Sequence, residues 1–429
     1  LLLNTSTLRI LLMVVGVGLL AAFLGVRQTA VSPPLTTEAV LAIVLLYIGL
    51  VPNSLSTGLS ALYYAFEKAE IPAVIQTVST ICKAVFGVAA LALGWGVIGL
   101  AGVSILTNIV TLIVLAGNAK NLTSSQGNFL RVQPSTAENS RVPLQWRPNW
   151  QTMRGMVTEG FPLMLNHFLA TIFFQIDVVI IQAVHGDRMV GQYSVAYKWV
   201  AALNVIPAFF TMALLPVMSR QAHEDRPGLK RNYGLAVKLL VSVALPAAVA
   251  FTFMAFTLTQ VLGGAEFLPD GAIATQLMIW SIPIGWINSL TQYVLIALDL
   301  QRRITRTFAI AVSFNIITNL IFIPAYGYRA AALTTIASEL LMLMLWGWML
   351  TGAIGQVDWV RILWKSVAST LAMIVVLLIG WPIQPFVALV VATLACYWHC
   401  VHLIRTSGLS SPRSSLDDCD AGSRHPANR

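Results

Sequence analysis

The chain has 429 residues, of which 57% are hydrophobic and only 10% charged, against about 25% charged in an ordinary soluble domain. With a mean hydropathy of +0.78, this excludes a nucleic-acid-binding domain, a disordered chain and an ordinary cytoplasmic enzyme. The formal charge of +9 lies mostly between apolar blocks, so it reports topology and not an acidic partner.

A bilayer span takes roughly 20 apolar residues, and the sequence predicts twelve: 7–31, 39–66, 71–93, 97–117, 155–184, 189–218, 232–262, 273–298, 304–323, 330–352, 361–380 and 383–404. The expected fold is an all-α polytopic membrane protein. Residues 1–117 form an N-terminal lobe of four helices, and 118–154 a polar, proline-containing linker on the cytoplasmic side. Residues 155–352 form a six-helix lobe, 353–405 two further helices, and 406–429 a disordered tail rich in Ser, Pro and Asp. The four cysteines have no secreted disulfide pattern.

Charge orients the spans. With the N-terminal end inside, nineteen of the 26 Lys and Arg residues fall on cytoplasmic loops and ends, and only Arg27, Arg188 and Arg329 fall outside. The C-terminus is then cytoplasmic.

An internal repeat supports two lobes. GWGVIGLAGVSILTNIV (94–110) matches AYGYRAAALTTIASELL (325–341), with Gly96 opposite Gly327 and Asn108 opposite Glu339. Each copy reads as a helix, a tight turn and a helix of small residues. The second copy closes a six-helix unit and the first only a four-helix one. The repeat therefore predicts a parent plan of 6 + 6 + 2 helices whose first two are lacking here, a reading that fits the initial Leu1.

Charge inside a span is costly and marks function by default. Lys83, Asp177, Lys198 and Glu339 are so placed. Asp177 and Lys198 are about equally distant from the turn HGDR (185–188), so an ion pair is geometrically natural, either as a cavity pair that breaks during transport or as a clasp. Lys83 faces an anion or pairs with an acid on another helix. Glu339 binds a proton or Na⁺, or neutralises a lysine. Glu159 and Lys238 belong to the interface. Asn288 with Gln292, and Asn315 with Asn319, share helix faces one turn apart. They serve either sugar hydroxyls in a wet cavity or neighbouring helices. Asn166, His167 and Gln175 share the first helix after the linker, and prolines 52, 162, 207, 246 and 283 can bend their helices. No metalloprotease, phosphate-loop or other catalytic motif is present, and no cofactor is expected beyond a coupling ion, H⁺ or Na⁺.

Residues 160–221 carry an aspartate in the first helix of the second half (Asp177), a Gly-x-Tyr-Ser-x-Ala segment (Gly191 to Ala196) and Leu-Pro-x-x-Ser (Leu215 to Ser219). In that order they resemble the Wzx-like polysaccharide flippases of the multidrug/oligosaccharidyl-lipid/polysaccharide (MOP) superfamily, and the likeness extends from Leu8 to about Arg405. The resemblance implies a MATE-like, two-lobed transporter of fourteen helices that moves polyprenyl-pyrophosphate-linked oligosaccharide to the outer leaflet by alternating access. It implies a cationic cavity, for which Lys83 and Lys198 are the candidates. Its implied partners are the lipid-linked glycan, membrane lipids and polysaccharide polymerase or assembly proteins, with the transporter itself monomeric. The alternatives are a lipid II flippase, a cation-coupled multidrug exporter and a non-transporting membrane scaffold.

Overall fold

Every backbone amide in a bilayer must find its partner inside the chain, and the structure obeys this with helices throughout. A computed structural model describes residues 2–29, 36–65, 68, 70–126 and 150–408. The helices are α1 (Leu2–Thr29), α2 (Thr37–Ala65), α3 (Glu70–Ala92), α4 (Gly96–Gln126), α5 (Trp150–His185), α6 (Asp187–Leu203) and α7 (Val205–Glu224). They continue with α8 (Arg226–Gly263), α9 (Asp270–Met278), α10 (Ser281–Ala297), α11 (Gln301–Ile354), α12 (Trp359–Gly380) and α13 (Pro385–Gly408). Among the described residues, nine helical stretches are long and apolar enough to cross a membrane. The expected linker and tail lie largely outside the described residues. α4 runs into the former as far as Gln126, and α13 into the latter as far as Gly408.

The chain divides into two compact units, Leu1–Pro162 and Leu163–Arg429. In the first, α2 packs against α4, α4 against α3, and α1 rests on α2. Polar side chains bridge these helices. Tyr63 donates to the Leu115 carbonyl at 2.7 Å, Tyr47 to the Met13 carbonyl at 2.6 Å, and Thr111 to Ser79 Oγ at 2.8 Å. Arg9, within α1, donates to the carbonyl and the hydroxyl of Ser54 on α2.

In the second unit a core gathers around Trp286, Trp346 and Tyr233, all buried. The Tyr233 hydroxyl lies 2.8 Å from Thr291 Oγ1. α12 and α13 pack on each other and on α8, where Ser242 and Ser366 hydrogen-bond at 2.7 Å. Lys238, expected at the interface, is buried within α8. The side chain of Glu159 lies outside the described residues.

α11 has 54 residues but is two spans. Asn315 Nδ2 donates to Ser338 Oγ at 3.1 Å, although 23 residues separate them. On a straight helix, at 1.5 Å per residue, they would stand roughly 35 Å apart. The chain reverses at Gly327, whose φ of 57° and ψ of −138° no helix accommodates. Gly96, its partner in the repeat, has φ 55°, so both hairpins turn on a glycine in the left-handed region. The registers agree as well. Lys83 and Asn108 are hydrogen-bonded across the first hairpin. Shifted by the 231 residues between the two glycines, they fall within one position of Asn315 and Ser338.

Candidate functional site

Two of the helix-bending prolines break their spans beside one cavity. Proline lacks an N–H, and its ring clashes with the carbonyl four residues back. For Pro207 and Pro283 those carbonyls belong to residues 203 and 279, and α6 ends at Leu203 and α9 at Met278. Asn204, at the first break, accepts from Trp286 Nε1 at 3.0 Å and ties the two broken spans together.

The cavity has a volume of about 660 Å³ and lies wholly within the second unit. α5 contributes Asn166, His167 and Phe174, and α6 contributes Tyr197. α10 contributes Gly285, Asn288 and Gln292 at helical spacing, and α11 contributes Thr335, Glu339 and Trp346. Among the described residues, no lysine or arginine is in this wall. Asn288 Nδ2 donates to Glu339 twice, to its backbone carbonyl at 2.8 Å and to Oε2 at 2.6 Å. Both side chains are buried, at 2% and 5% exposure. A carboxylate in this setting needs such donors, since an unpaired buried charge costs several kcal/mol by rough measure.

The structure therefore brings Asn288, Gln292 and Glu339 together and places the other expected residues elsewhere. Asn315 and Asn319 are buried, at 1% and 0% exposure. Asn319 Nδ2 donates to Asn315 Oδ1 at 3.0 Å, Asn315 donates to Ser338, and Thr334 donates to Asn319 Oδ1. The two amides thus clasp the halves of α11 and do not face the cavity. Their shared face was legible from spacing, but what that face meets is a tertiary matter.

The ion pair expected between Asp177 and Lys198 is not formed. Asp177, 2% exposed, accepts from Tyr193 at 2.6 Å and from the Val178 amide at 2.8 Å. Lys198 is exposed on α6 and outside the cavity wall. The turn explains the difference. α5 ends at His185 and α6 begins at Asp187, so the hairpin pivots on Gly186 and not on the four residues HGDR. That moves the level facing Asp177 from 198 to about 195, within reach of the long Tyr193 side chain and away from Lys198. Tyr193→Phe is expected to cost about 1–3 kcal/mol, because it leaves a buried acceptor without its donor. Lys198→Ala is expected to change stability by less than about 0.5 kcal/mol. Thermal unfolding of both variants checks this, and a larger loss for Lys198→Ala would restore the ion pair.

In the first unit, Lys83 is half-buried. Its Nζ donates to Asn108 Oδ1 at 2.6 Å, and Asn108 Nδ2 donates to the Gly49 carbonyl at 3.1 Å. Among the described residues no carboxylate lies within ion-pair distance of this ammonium. Asn108 and Glu339, paired in the repeat, are both buried nodes that reach across to another helix of their own unit. A second hollow of about 490 Å³ opens between α3 and α4, and its wall is almost wholly apolar.

Comparison with known proteins places this architecture. The solved structure of the lipid II flippase MurJ, inward closed, matches 94% of this chain and 84% of its own at TM-score 0.64 and 14% identity. An inward-facing multidrug resistance MATE transporter of the MOP superfamily matches 83% of this chain and 82% of its own at TM-score 0.63 and 16% identity. An uncharacterised membrane protein of Methanocaldococcus jannaschii is 25% identical over 201 residues, 46% of this chain but only 39% of that protein. The fold shared with these solved structures is that of a multi-pass helical membrane protein. The chain belongs to the polysaccharide biosynthesis protein family, whose sequence profile matches residues 3–221. The MatE profile matches residues 162–321.

Proposed function

We propose that this transporter moves polyprenyl-pyrophosphate-linked oligosaccharide from the cytoplasmic to the outer leaflet of a prokaryotic plasma membrane, by alternating access. The family match over residues 3–221 is the observation that carries the substrate class. The amide-rich, aromatic-lined cavity of the second unit supports it, because sugars need many hydrogen bonds and flat apolar faces together. Lys83, with one N–H committed to Asn108, supplies a point charge for phosphate. Asp177, enclosed between α5 and α6, is the candidate for a coupling ion, H⁺ or Na⁺. The distribution of Lys and Arg supports a cytoplasmic C-terminus. Polymerase or assembly proteins are the proposed partners of a monomeric transporter.

The likeness to MurJ favours a second reading, transport of lipid II. One experiment separates the two. The full chain is expressed in a strain lacking its polysaccharide flippase, and in a strain depleted of its lipid II flippase. Restored surface polysaccharide without rescued growth is the expected result. Rescue of the depleted strain alone would replace the oligosaccharide reading with lipid II.

A further inference from the structure

The end of the second unit that the Lys and Arg distribution marks as cytoplasmic holds cations that no carboxylate answers. α8 and α12 lie parallel there, since Tyr233 stacks edge-on with Trp359, Ser242 hydrogen-bonds Ser366, and Phe253 meets Trp381. α12 has 22 residues, about 33 Å at 1.5 Å each, so it just spans a hydrocarbon layer of roughly 30 Å. Its first turns therefore lie at the membrane boundary. Arg361 and Lys365 stand on these turns, one helical turn apart and so on one side of the helix. On α8, Arg226 and Lys230 are likewise one turn apart, and they border the end of α11. Arg226 Nη1 donates to the Ala353 carbonyl at 3.4 Å, and Lys230 Nζ lies 3.7 Å from where a Cβ on Gly355 would be.

The acids at these helix starts are engaged elsewhere. Asp225 accepts from the Gly228 amide at 2.9 Å and Asp358 from the Arg361 amide at 3.1 Å, each capping its own helix. Among the described residues the one ion pair is His223 with Asp299, so Arg226, Lys230, Arg361 and Lys365 have no carboxylate within ion-pair distance. The exposed side of α12 then changes character within two turns. Arg361 is followed by Trp364 and Val367, exposed at 54% and 42%, and Lys365 Nζ lies 5.9 Å from the Trp364 ring centre. Charge at the boundary, with aromatic and aliphatic surface just inside it, matches a lipid from headgroup to chain. The register of Ser242 with Ser366 sets Arg361 level with residue 237 of α8. That is roughly 10 Å along the axis from Lys230, a gap that two long side chains close around one phosphate.

An acidic protein segment would leave the apolar strip unused, and a free phosphate has nothing to lay on it. We infer that this corner binds an anionic phospholipid of the cytoplasmic leaflet, with Lys230, Arg361 and Lys365 around the headgroup phosphate and an acyl chain along Trp364 and Val367. The inference goes beyond the export reading and is independent of the exported substrate. Charge placed for topology alone would bind such a lipid no better here than at Arg302 and Arg303, at the start of α11 on the same side.

The test titrates the full chain, in neutral detergent and stripped of copurified lipid, with dioleoyl phosphatidylglycerol or dioleoyl phosphatidylcholine. Native mass spectrometry reads the bound lipid. The two lipids share their chains and differ in net charge. A surface cation is worth about fivefold in anionic-lipid affinity, so the three cations should favour phosphatidylglycerol about 100-fold. Arg361→Gln with Lys365→Gln should weaken phosphatidylglycerol about 30-fold and Lys230→Gln about fivefold, with phosphatidylcholine unchanged. Among the described residues the Arg361 side chain has no hydrogen-bond partner, and only its backbone N–H does. Arg361→Gln alone, expected at about fivefold, therefore decides the matter if the double variant fails to fold. Arg302→Gln with Arg303→Gln removes the same charge elsewhere and should change affinity by less than about twofold.

Three results would overturn the inference. Equal binding of the two lipids would show no recognition of charge. Equal loss in the Arg302–Arg303 and Arg361–Lys365 variants would assign the attraction to the whole face. Displacement of phosphatidylglycerol by millimolar inorganic phosphate would make the corner a plain anion site.

Discussion

Lys83→Met is expected to reduce export of a lipid-linked glycan by about 10–150-fold, the worth of one hydrogen bond to a charged group. The change removes the ammonium and keeps the length of the side chain. It also deprives Asn108 Oδ1 of its donor, so a purely structural reading has to be separated. Asn108→Ala does that, because it deletes the node that joins α3, α4 and the Gly49 carbonyl but leaves the charge. If Lys83 serves an anion, Asn108→Ala keeps most export while Lys83→Met does not. Lys83→Arg keeps the charge in a planar head and should fall between them. Export measured as surface polysaccharide, with thermal unfolding of each purified variant, reads both effects. Equal loss of export in Lys83→Met and Asn108→Ala, with equal loss of stability, would make Lys83 a clasp and end the anion reading.

The difference between what was legible and what was not follows from the solvent. A bilayer forces long apolar helices, so the spans and the all-α fold could be read from hydropathy. Gly327 was visible as a turn because its partner Gly96 stands in the same local sequence. Lys83, Asp177 and Glu339 were marked because charge is rare in spans. Their partners were not legible. Asp177 meets Tyr193 because the hairpin pivots on one residue, and a shift of one or two positions at the turn moves the opposing level by about three residues, nearly a helical turn. Asn288 meets Glu339 across 51 residues, a pairing that no local pattern encodes. Asn315 and Asn319 illustrate the limit from the other side. Spacing put them on one face, and only packing decides whether that face sees a cavity or a helix.

Gly327→Val is expected to leave the second unit unfolded or severely weakened, whereas Gly96→Val yields a folded chain of reduced stability. Both glycines have positive φ, 57° and 55°, where a β-branched residue is a genuine outlier and strain runs to about 1–3 kcal/mol. That part of the loss is shared. The surroundings differ. A Cβ at 327 would stand 2.8 Å from Met189 Sδ and 3.2 Å from its Cε, with His185 Nε2 at 3.7 Å. A Cβ at 96 meets nothing within 4 Å. At 327 the added methyls therefore press on the α5–α6 corner, where His185 Nε2 hydrogen-bonds the Ile323 carbonyl at 2.9 Å. A displaced turn would also pull apart the Asn315, Asn319, Thr334 and Ser338 clasp, which has no water to replace lost partners.

The contact part can be isolated with the smaller change. Gly327→Ala should cost more than Gly96→Ala, and adding Met189→Ala to Gly327→Ala should remove part of that excess by clearing the space the methyl needs. Thermal unfolding and the fraction of monodisperse protein in detergent measure the series. If Met189→Ala brings no relief, the cost at 327 lies in the backbone alone, and the two hairpin turns are then equivalent in energy as well as in sequence.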